Sequence, residues 1–192
     1  MIMFGREGGK NSVPTVFFIT HPDVAINPRV PVPEWPLNER GQVRMHNTLA
    51  SSDYGLLDAN TFTPRPNYWA ALLWRKVMGT TVLDPGPSPA ENLHLYAQCL
   101  RDVKGGVAIL AINADRVASA SLEVPLTAQR YTLTAQRLND AKVRMNGREL
   151  RLGDHDALPA LAGAPEKSDR VSFAPVSITF LAIPDAHNPA CQ

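Results

Sequence analysis

The amino-acid sequence predicts a mainly β protein: an antiparallel β-sandwich of seven or eight strands, with one packed α-helix at 67–79 and an irregular Pro-rich N-terminal segment. Two observations support this prediction. From about residue 92 onward, short apolar segments alternate with a period of two residues, and turn residues separate them at intervals of about 8–12 residues. No helical pattern lies between these segments, which favours antiparallel pairing in a sandwich.

The helix at 67–79 has the sequence NYWAALLWRKVMG. Asn67 is a favourable N-cap, and Gly79 is a natural C-terminal stop. Between these two residues only Arg75 and Lys76 are charged. A helix that is apolar on nearly every side expects protein around most of its circumference.

This helix has more apolar surface than a single sheet would cover. We expect one side to pack on strands at 107–112 and 176–182. We expect the sheet to leave Tyr68, Trp69 and Leu72 uncovered. Their exposed face would then be open to association, because large exposed apolar patches mark interaction sites.

Six segments carry the strand pattern, and the run at 107–112 is apolar throughout, as in a strand covered on both faces. In the last segment we expect Val176, Ile178, Phe180 and Ala182 to share one face. The six segments are NLHLYAQC (92–99), GVAILAIN (106–113), SLEV (121–124), RYTLTA (130–135), VSF (171–173) and PVSITFLAI (175–183).

The segment KVRMNGRELRL at 142–152 is the clearest hairpin in the sequence. Its centre is Asn146-Gly147, a pair that favours a type I′ turn because both residues tolerate positive φ. Apolar residues at alternate positions flank the turn on both sides. We therefore predict two short strands joined by a two-residue loop.

Composition excludes several classes of function. The chain of 192 residues carries 19 basic and 18 acidic residues, a formal net charge of +1, so neither a nucleic acid nor an anionic membrane is an expected partner. No segment reaches the roughly 20 apolar residues of a membrane span, and the first residues contain no apolar run of signal-peptide length. No P-loop, dinucleotide-type glycine pattern or Gly-x-Ser-x-Gly motif is present, so no cofactor is expected. These observations leave the localisation unknown.

The sequence GDHDALP at 153–159 places Asp154, His155 and Asp156 together, which suggests a metal. Three consecutive side chains do not converge easily on one ion, and no fourth ligand is evident. We therefore interpret this stretch as a polar loop and expect no metal.

Residues 13–47 resemble the start of the histidine phosphatase (phosphoglycerate-mutase-like) family through THPD at 20–23 and PLNERGQ at 36–42. The resemblance places His21 at the position of the phosphoryl-accepting histidine. Thr20 stands where that family has a phosphate-binding arginine, and Pro22 replaces a glycine. Because phosphoryl transfer depends on charge neutralisation, we expect an inactive fragment of that sequence.

A second resemblance covers residues 53–192. This stretch is similar to the C-terminal portion of heparanase-like glycoside hydrolases, the family-79 β-glucuronidase group. The resemblance implies a last barrel strand, a last barrel helix and a β-sandwich appended to a (β/α)₈ barrel. The segments that carry it are DYGLLD (53–58), PNYWAALLWRKVMGTTVL (66–83), LHLYAQC (93–99), VAILAIN (107–113), VRMNGRELRL (143–152), DALPAL (156–161) and SFAPVSITFLAIPDAHNPAC (172–191).

The resemblance also implies roles for individual residues. Tyr54 would lie at the C-terminal end of the last barrel strand, where barrel active sites lie, and would border a subsite for a uronic acid. Asp53 would be its neighbour at the same site. Cys99 and Cys191 would form a disulfide, and the related full-length enzymes are expected to be secreted or periplasmic.

The catalytic pair of these enzymes has no counterpart here. Retaining glycosidases need two carboxyl groups about 5 Å apart, and in this family both glutamates lie upstream of the matched stretch. Glu91, Glu123, Glu149 and Asp154 match neither position. We therefore predict no turnover by this polypeptide alone.

The sequence thus divides into a segment resembling a truncated histidine phosphatase (1–52), a remnant of a last barrel strand and helix (53–84) and a C-terminal β-sandwich (85–192). The predicted function is structural support of a barrel active site that acts on glucuronide-type carbohydrate. One alternative is a free-standing β-sandwich that binds carbohydrate or a partner. A second alternative is a degenerate histidine phosphatase.

Overall fold

The structure, a computed structural model, describes residues 55–58, 60–167 and 169–192. These residues belong to the second of two units into which the chain divides, Thr48–Gln192. The predictions for the Pro-rich segment 1–52, for His21, and for Asp53 and Tyr54 lie outside the described residues.

The described residues are mainly β, as predicted, and a single α-helix precedes their strands. That helix is too short to cross a membrane, and this holds for every helix in the described ranges. The elements are, in chain order, α1 (Pro66–Val77), β1 (Met78–Leu83), β2 (Leu93–Leu100), β3 (Val107–Asn113), β4 (Ala120–Glu123), β5 (Ala128–Thr134), β6 (Arg144–Met145), β7 (Arg148–Glu149), a 3-10 turn (Asp154–Asp156), β8 (Ala164–Glu166), β9 (Arg170–Phe173), β10 (Ser177–Ile183) and a 3-10 turn (Pro189–Cys191).

Eight of these strands form one large sheet. Its order is β1-β2-β3-β10-β5-β6-β7, and β8 pairs with β5 beside this path. Strands β4 and β9 form a separate two-stranded sheet. Every pair is antiparallel, and β3 and β10 pair along their full lengths. The antiparallel, mainly β fold class is therefore confirmed.

The central strands of the large sheet, β3 and β10, are buried on both faces. On one face lies the helix-side core, in which Leu110 of β3 and Phe180 of β10 pack with residues of α1. On the other lies the small-sheet core, in which Ala111 and Leu181 pack with residues of β4 and β9. Adjacent residues of one strand enter opposite cores because side chains alternate across a sheet.

Trp69 occupies a position that the sequence did not predict. The prediction leaves it uncovered by the sheet, but only 2% of its surface is exposed. It belongs to the helix-side core with Leu73 and Val77. Tyr68 and Leu72 are partly buried against the same core. The prediction was wrong because the core extends past the two central strands: the β6–β7 hairpin also contributes side chains to it.

Helix α1 also differs from its predicted bounds. Its N-cap is Arg65 rather than Asn67, and Pro66 takes the first helical position, where a missing N–H costs nothing. The helix passes directly into β1, with Met78 in an extended conformation. Gly79 is therefore not a helix stop.

The glycine at position 79 serves strand pairing instead. A Cβ there would lie 2.5 Å from the carbonyl oxygen of Cys99 on β2. The register between β1 and β2 is irregular at this point, between Met78 and Val82. Glycine is thus required by close approach of two backbones at a bulge.

Two strands, β1 and β8, were not predicted, and β10 begins later than predicted. β1 follows the helix without a turn signal, and β8 contains Pro165, which sequence rules exclude from central strands. Val176 does not share a strand face with Phe180, because it precedes β10 with a φ of 51° and is exposed. Its N–H is bonded to the carbonyl oxygen of Asp115 in a loop.

The hairpin β6–β7 confirms its predicted turn. Asn146 and Gly147 have φ values of 48° and 84°, the positive pair that a type I′ turn requires. The Asn146 side chain donates from Nδ2 to the carbonyl oxygen of Arg130 at 2.8 Å and accepts at Oδ1 from the N–H of Thr132 at 2.9 Å. The Asn146 side chain therefore fixes the turn to β5 with one donated and one accepted hydrogen bond, as a paired strand residue would.

A half-buried arginine connects the two sheets. The guanidinium of Arg130 on β5 donates to Oε2 of Glu166 on β8 at 3.0 Å and to the carbonyl oxygen of Ser172 on β9. Its Nε donates to Oγ1 of Thr132 at 2.9 Å. The positive charge is thus paired and hydrogen-bonded, as a partly buried charge must be.

The C-terminal turn is attached covalently to β2. Cys99 and Cys191 form a disulfide with a Cα–Cα distance of 5.3 Å, the pairing that the resemblance implies. The N–H of Gly105 donates to the carbonyl oxygen of Cys191 at 2.7 Å, and the N–H of Asn188 donates to the carbonyl oxygen of Gly105 at 2.9 Å. The last residues are therefore fixed to the loop between β2 and β3.

Candidate functional site

The loop Gly55–Arg65 directly follows Asp53 and Tyr54, the residues predicted to bind substrate. Those two residues lie outside the described part of the chain, and their roles stay predictions. The loop that begins beside them is described except for residue 59.

The loop closes on itself through backbone hydrogen bonds. The N–H of Arg65 donates to the carbonyl oxygen of Leu56 at 2.9 Å, and the N–H of Asp58 donates to that of Thr63 at the same distance. Leu57 and Pro64 form an antiparallel bridge. The two ends of the loop are thus held together at the start of α1.

Asp58 organises the tip of this loop. Its Oδ1 accepts from the N–H groups of Asn60 and Thr61, each at 3.0 Å, and from Oγ1 of Thr61 at 3.1 Å. Its Oδ2 lies 3.3 Å from the guanidinium of Arg65. The backbone N–H groups of Thr61 and Asn60, followed by Arg65 and the Thr61 hydroxyl, lower the pKa of this carboxyl from 3.8 to about 2.

This lowered pKa predicts how the loop responds to acid. Because the folded pKa of Asp58 lies below its ordinary value, its stabilising contribution is complete above pH 3.8 and is lost as the pH falls through about 2. The backbone amide shifts of Asn60 and Thr61, followed by NMR, should titrate with that low midpoint. Asp58→Asn should abolish the transition, and a midpoint at 3.8 would contradict the prediction.

The loop presents one aromatic ring to solvent. Phe62 is 60% exposed, and its φ is 55°, in the left-handed region that residues other than glycine rarely adopt. Its N–H donates to the carbonyl oxygen of Asp58 at 2.9 Å.

The sequence analysis did not identify Asp58, Arg65 or Phe62. The available signal was the Asp-x-Asn-Thr sequence, which is typical of a turn in which an aspartate accepts from the next N–H groups.

Helix α1 positions this loop. Nδ2 of Asn67 donates to the carbonyl oxygen of Gly55 at 3.4 Å. Tyr68 meets Trp69 edge to face, with ring centroids 5.2 Å apart. Because Trp69 is buried in the helix-side core, the end of the helix that carries the loop is fixed to the sandwich.

Two open pockets lie away from this loop. The larger, about 380 Å³, is lined by Gln136, Arg137, Asp140, Ala141, Lys142, Arg144 and Glu149. The smaller, about 260 Å³, lies beside Asn113, whose buried Nδ2 donates to the carbonyl oxygens of Ala118, Phe173 and Ala174 at 3.0–3.1 Å. These bonds join the end of β3 to the end of β9 and give the buried amide a structural role.

The acidic residues of the sandwich are dispersed. Glu123 on β4 forms an exposed ion pair with Arg170 at 3.4 Å. Glu91 precedes β2, Glu149 lies on β7 and Asp154 lies in the 3-10 turn, and all are exposed. Within the described ranges, no three His, Cys, Asp or Glu side chains are grouped as metal ligands.

No protein-family model matches the chain. Among solved structures, the GH51 arabinofuranosidase from Xanthomonas axonopodis pv. citri is 22% identical, with a TM-score of 0.44 over 75% of this chain and 32% of that one.

Curated relatives are more similar in sequence, at 31% to 35% identity. Baicalin-beta-D-glucuronidase of Scutellaria baicalensis is 34% identical over 84 residues, 44% of this chain and 15% of that protein. Heparanase-like protein 1 of Arabidopsis thaliana is 35% identical over 97 residues, 47% of this chain and 18% of that protein. Hyaluronoglucuronidase of Hirudo nipponia is 31% identical over 166 residues, 79% of this chain and 34% of that protein.

The chain thus spans between 15% and 34% of the length of these relatives. The alignments with the plant proteins cover 44% to 48% of its own length. Roughly half of this chain is therefore related to part of the heparanase-like, β-glucuronidase-type glycoside hydrolases of family 79.

Proposed function

We propose that residues 53–192 are the C-terminal part of a heparanase-like glycoside hydrolase and hold one loop of a barrel active site in place, without catalysing hydrolysis alone. The observation that carries this proposal is the attachment of α1 to the sandwich. Trp69, Leu73 and Val77 lie in one core with β3, β5 and β10. The same helix fixes the loop Gly55–Arg65, which directly follows Tyr54.

The proposed substrate class is a glucuronide-type carbohydrate. It is supported by the names of two relatives, a baicalin-beta-D-glucuronidase and a hyaluronoglucuronidase. In this proposal Tyr54 borders the subsite for the uronic acid, and Asp53 stands beside it. The loop that follows is closed by backbone hydrogen bonds, and fixed positioning of this kind is what an active site needs.

The proposal assigns the chemical step to residues outside this stretch. Retaining hydrolysis needs an acid/base and a nucleophile about 5 Å apart. The exposed carboxylates Glu91, Glu123, Glu149 and Asp154 lie on separate elements of the sandwich. This separation of the carboxylates agrees with a sandwich that supports the active site and does not itself catalyse hydrolysis.

The test combines this chain with the missing part of a relative. Heparanase-like protein 1 of Arabidopsis, truncated before the matched region, would be mixed with the purified chain and assayed on nitrophenyl glucuronide. We expect no hydrolysis by either polypeptide alone, complex formation in calorimetry, and hydrolysis by the mixture. Tyr54→Phe should reduce that hydrolysis and leave complex formation intact.

Two results would contradict the proposal. Hydrolysis by the chain alone would place the catalytic groups within it, and absence of binding between the two polypeptides would remove its supporting role. The alternative of a free-standing carbohydrate-binding sandwich has less support, because Trp69 is buried and Tyr68 and Trp74 pack against the core. Calorimetry with glucuronide oligosaccharides should accordingly give no binding heat for the chain alone.

A further inference from the structure

The turn of the β6–β7 hairpin combines two groups that can react with each other. Asn146 carries a primary amide, and the next residue, Gly147, supplies a backbone nitrogen with no side chain beside it. An added Cβ at Gly147 would meet no atom within 4 Å, so the space beside this residue is open. Both residues are exposed to water.

The folded hairpin opposes this reaction. Cyclisation requires the Asn146 side chain to fold back until its Cγ meets the nitrogen of Gly147. Both polar atoms of the amide are instead bonded to β5, Nδ2 to the carbonyl oxygen of Arg130 at 2.8 Å and Oδ1 to the N–H of Thr132 at 2.9 Å. The side chain is free to rotate only when both bonds break.

We propose that Asn146 is a deamidation site that is protected in the folded hairpin and reacts when the segment 143–150 opens. The nitrogen of Gly147 attacks Cγ of Asn146, a C–N bond forms, and the amide nitrogen leaves as ammonia with the transferred proton. Water then opens the succinimide ring at either carbonyl and gives aspartate or isoaspartate. Water is the only co-reactant, and no oxidation or reduction takes place.

The product does not restore the original contacts. Aspartate has no donor for the carbonyl oxygen of Arg130, so two acceptor oxygens would face each other across the former hydrogen bond. Isoaspartate lengthens the main chain within a two-residue turn, which disrupts the pairing of Arg144 with Glu149. Val143, Met145 and Leu150 belong to the helix-side core. After the modification, the part of this core that opens with the hairpin can no longer close again.

The test follows the amide in the intact chain by mass spectrometry of the proteolytic peptide that contains Asn146, with isoaspartate methyltransferase labelling as a second readout. The folded chain at mildly alkaline pH is compared with the same chain in guanidinium chloride. We expect modification to be slower in the folded chain by about tenfold or more, because two hydrogen bonds and local packing must open first.

Variants separate local opening from general instability. Met145→Ala, which loosens the hairpin, should accelerate modification of the folded chain and leave the rate in denaturant unchanged. The matched control Val171→Ala truncates a buried residue of the small-sheet core and should accelerate it less. Gly147→Ala should slow the reaction in denaturant, since its methyl group shields the attacking nitrogen.

Three results would overturn the proposal. Equal rates in the folded and denatured chain would mean that the hydrogen bonds to β5 give no protection. An unchanged rate in folded Met145→Ala would mean that hairpin opening does not control the reaction. No effect of Gly147→Ala in denaturant would exclude the succinimide route.

Discussion

Replacing both Cys99 and Cys191 by alanine is expected to lower the free energy of unfolding by about 4 kcal/mol. The two residues are 92 positions apart, so the bond restricts most of the sandwich in the unfolded chain. In the chain-entropy account, the stabilisation grows with the length of the closed loop. Chemical denaturation of the oxidised protein and of the double variant measures the difference.

Reduced wild-type protein provides the control for this prediction. It keeps both sulfur atoms but lacks the link, so it separates the effect of the bond from the loss of two buried side chains. We expect its stability to lie near that of the variant. An oxidised protein no more stable than the reduced one would contradict the prediction and would mean that the native state at β2 is strained by the link.

The strands of the sandwich could be predicted because their signals are local. Alternation of apolar residues identified β2, β5 and β10, and a continuous apolar run identified β3. Asn146-Gly147 identified the hairpin, since only residues that tolerate positive φ suit a type I′ turn. The disulfide was different. Two cysteines at positions 99 and 191 do not by themselves specify a pairing, and the expectation came from the resemblance to heparanase-like enzymes.

The errors concern contacts between distant parts of the chain. Gly79 was interpreted as a helix stop, but its role is set by the carbonyl oxygen of Cys99, 2.5 Å from its would-be Cβ. The burial of Trp69 depends on how far the core extends toward β6 and β7. The loop around Asp58 is the exception, because its partners lie two, three and seven residues away and the local Asp-x-Asn-Thr signal was not used. The partners of Gly79 and Trp69, in contrast, are not visible in the neighbouring sequence.

Trp69→Ala is expected to destabilise the protein by about 3–5 kcal/mol. The side chain is 2% exposed and is among the largest fully buried ones of the described residues. Its removal leaves a cavity between α1 and the large sheet and also ends the edge-to-face contact with Tyr68. Denaturant titration measures the loss, and Ala71→Ser at an exposed position of the same helix should change stability by less than about 0.5 kcal/mol.

The same variant tests whether the sandwich holds the candidate loop. If α1 transmits rigidity from the helix-side core to Gly55–Arg65, loosening Trp69 should speed hydrogen exchange at the amides of Asn60 and Thr61 under conditions in which the sheet stays folded. Phe180→Ala provides a comparison, because it opens a cavity in the same core at a residue of β10 and not of α1. Faster exchange in the tryptophan variant alone would connect the helix to the loop. Exchange at these amides that is as slow in both variants as in the unaltered protein would mean that Asp58 and Arg65 order the loop independently of the sandwich.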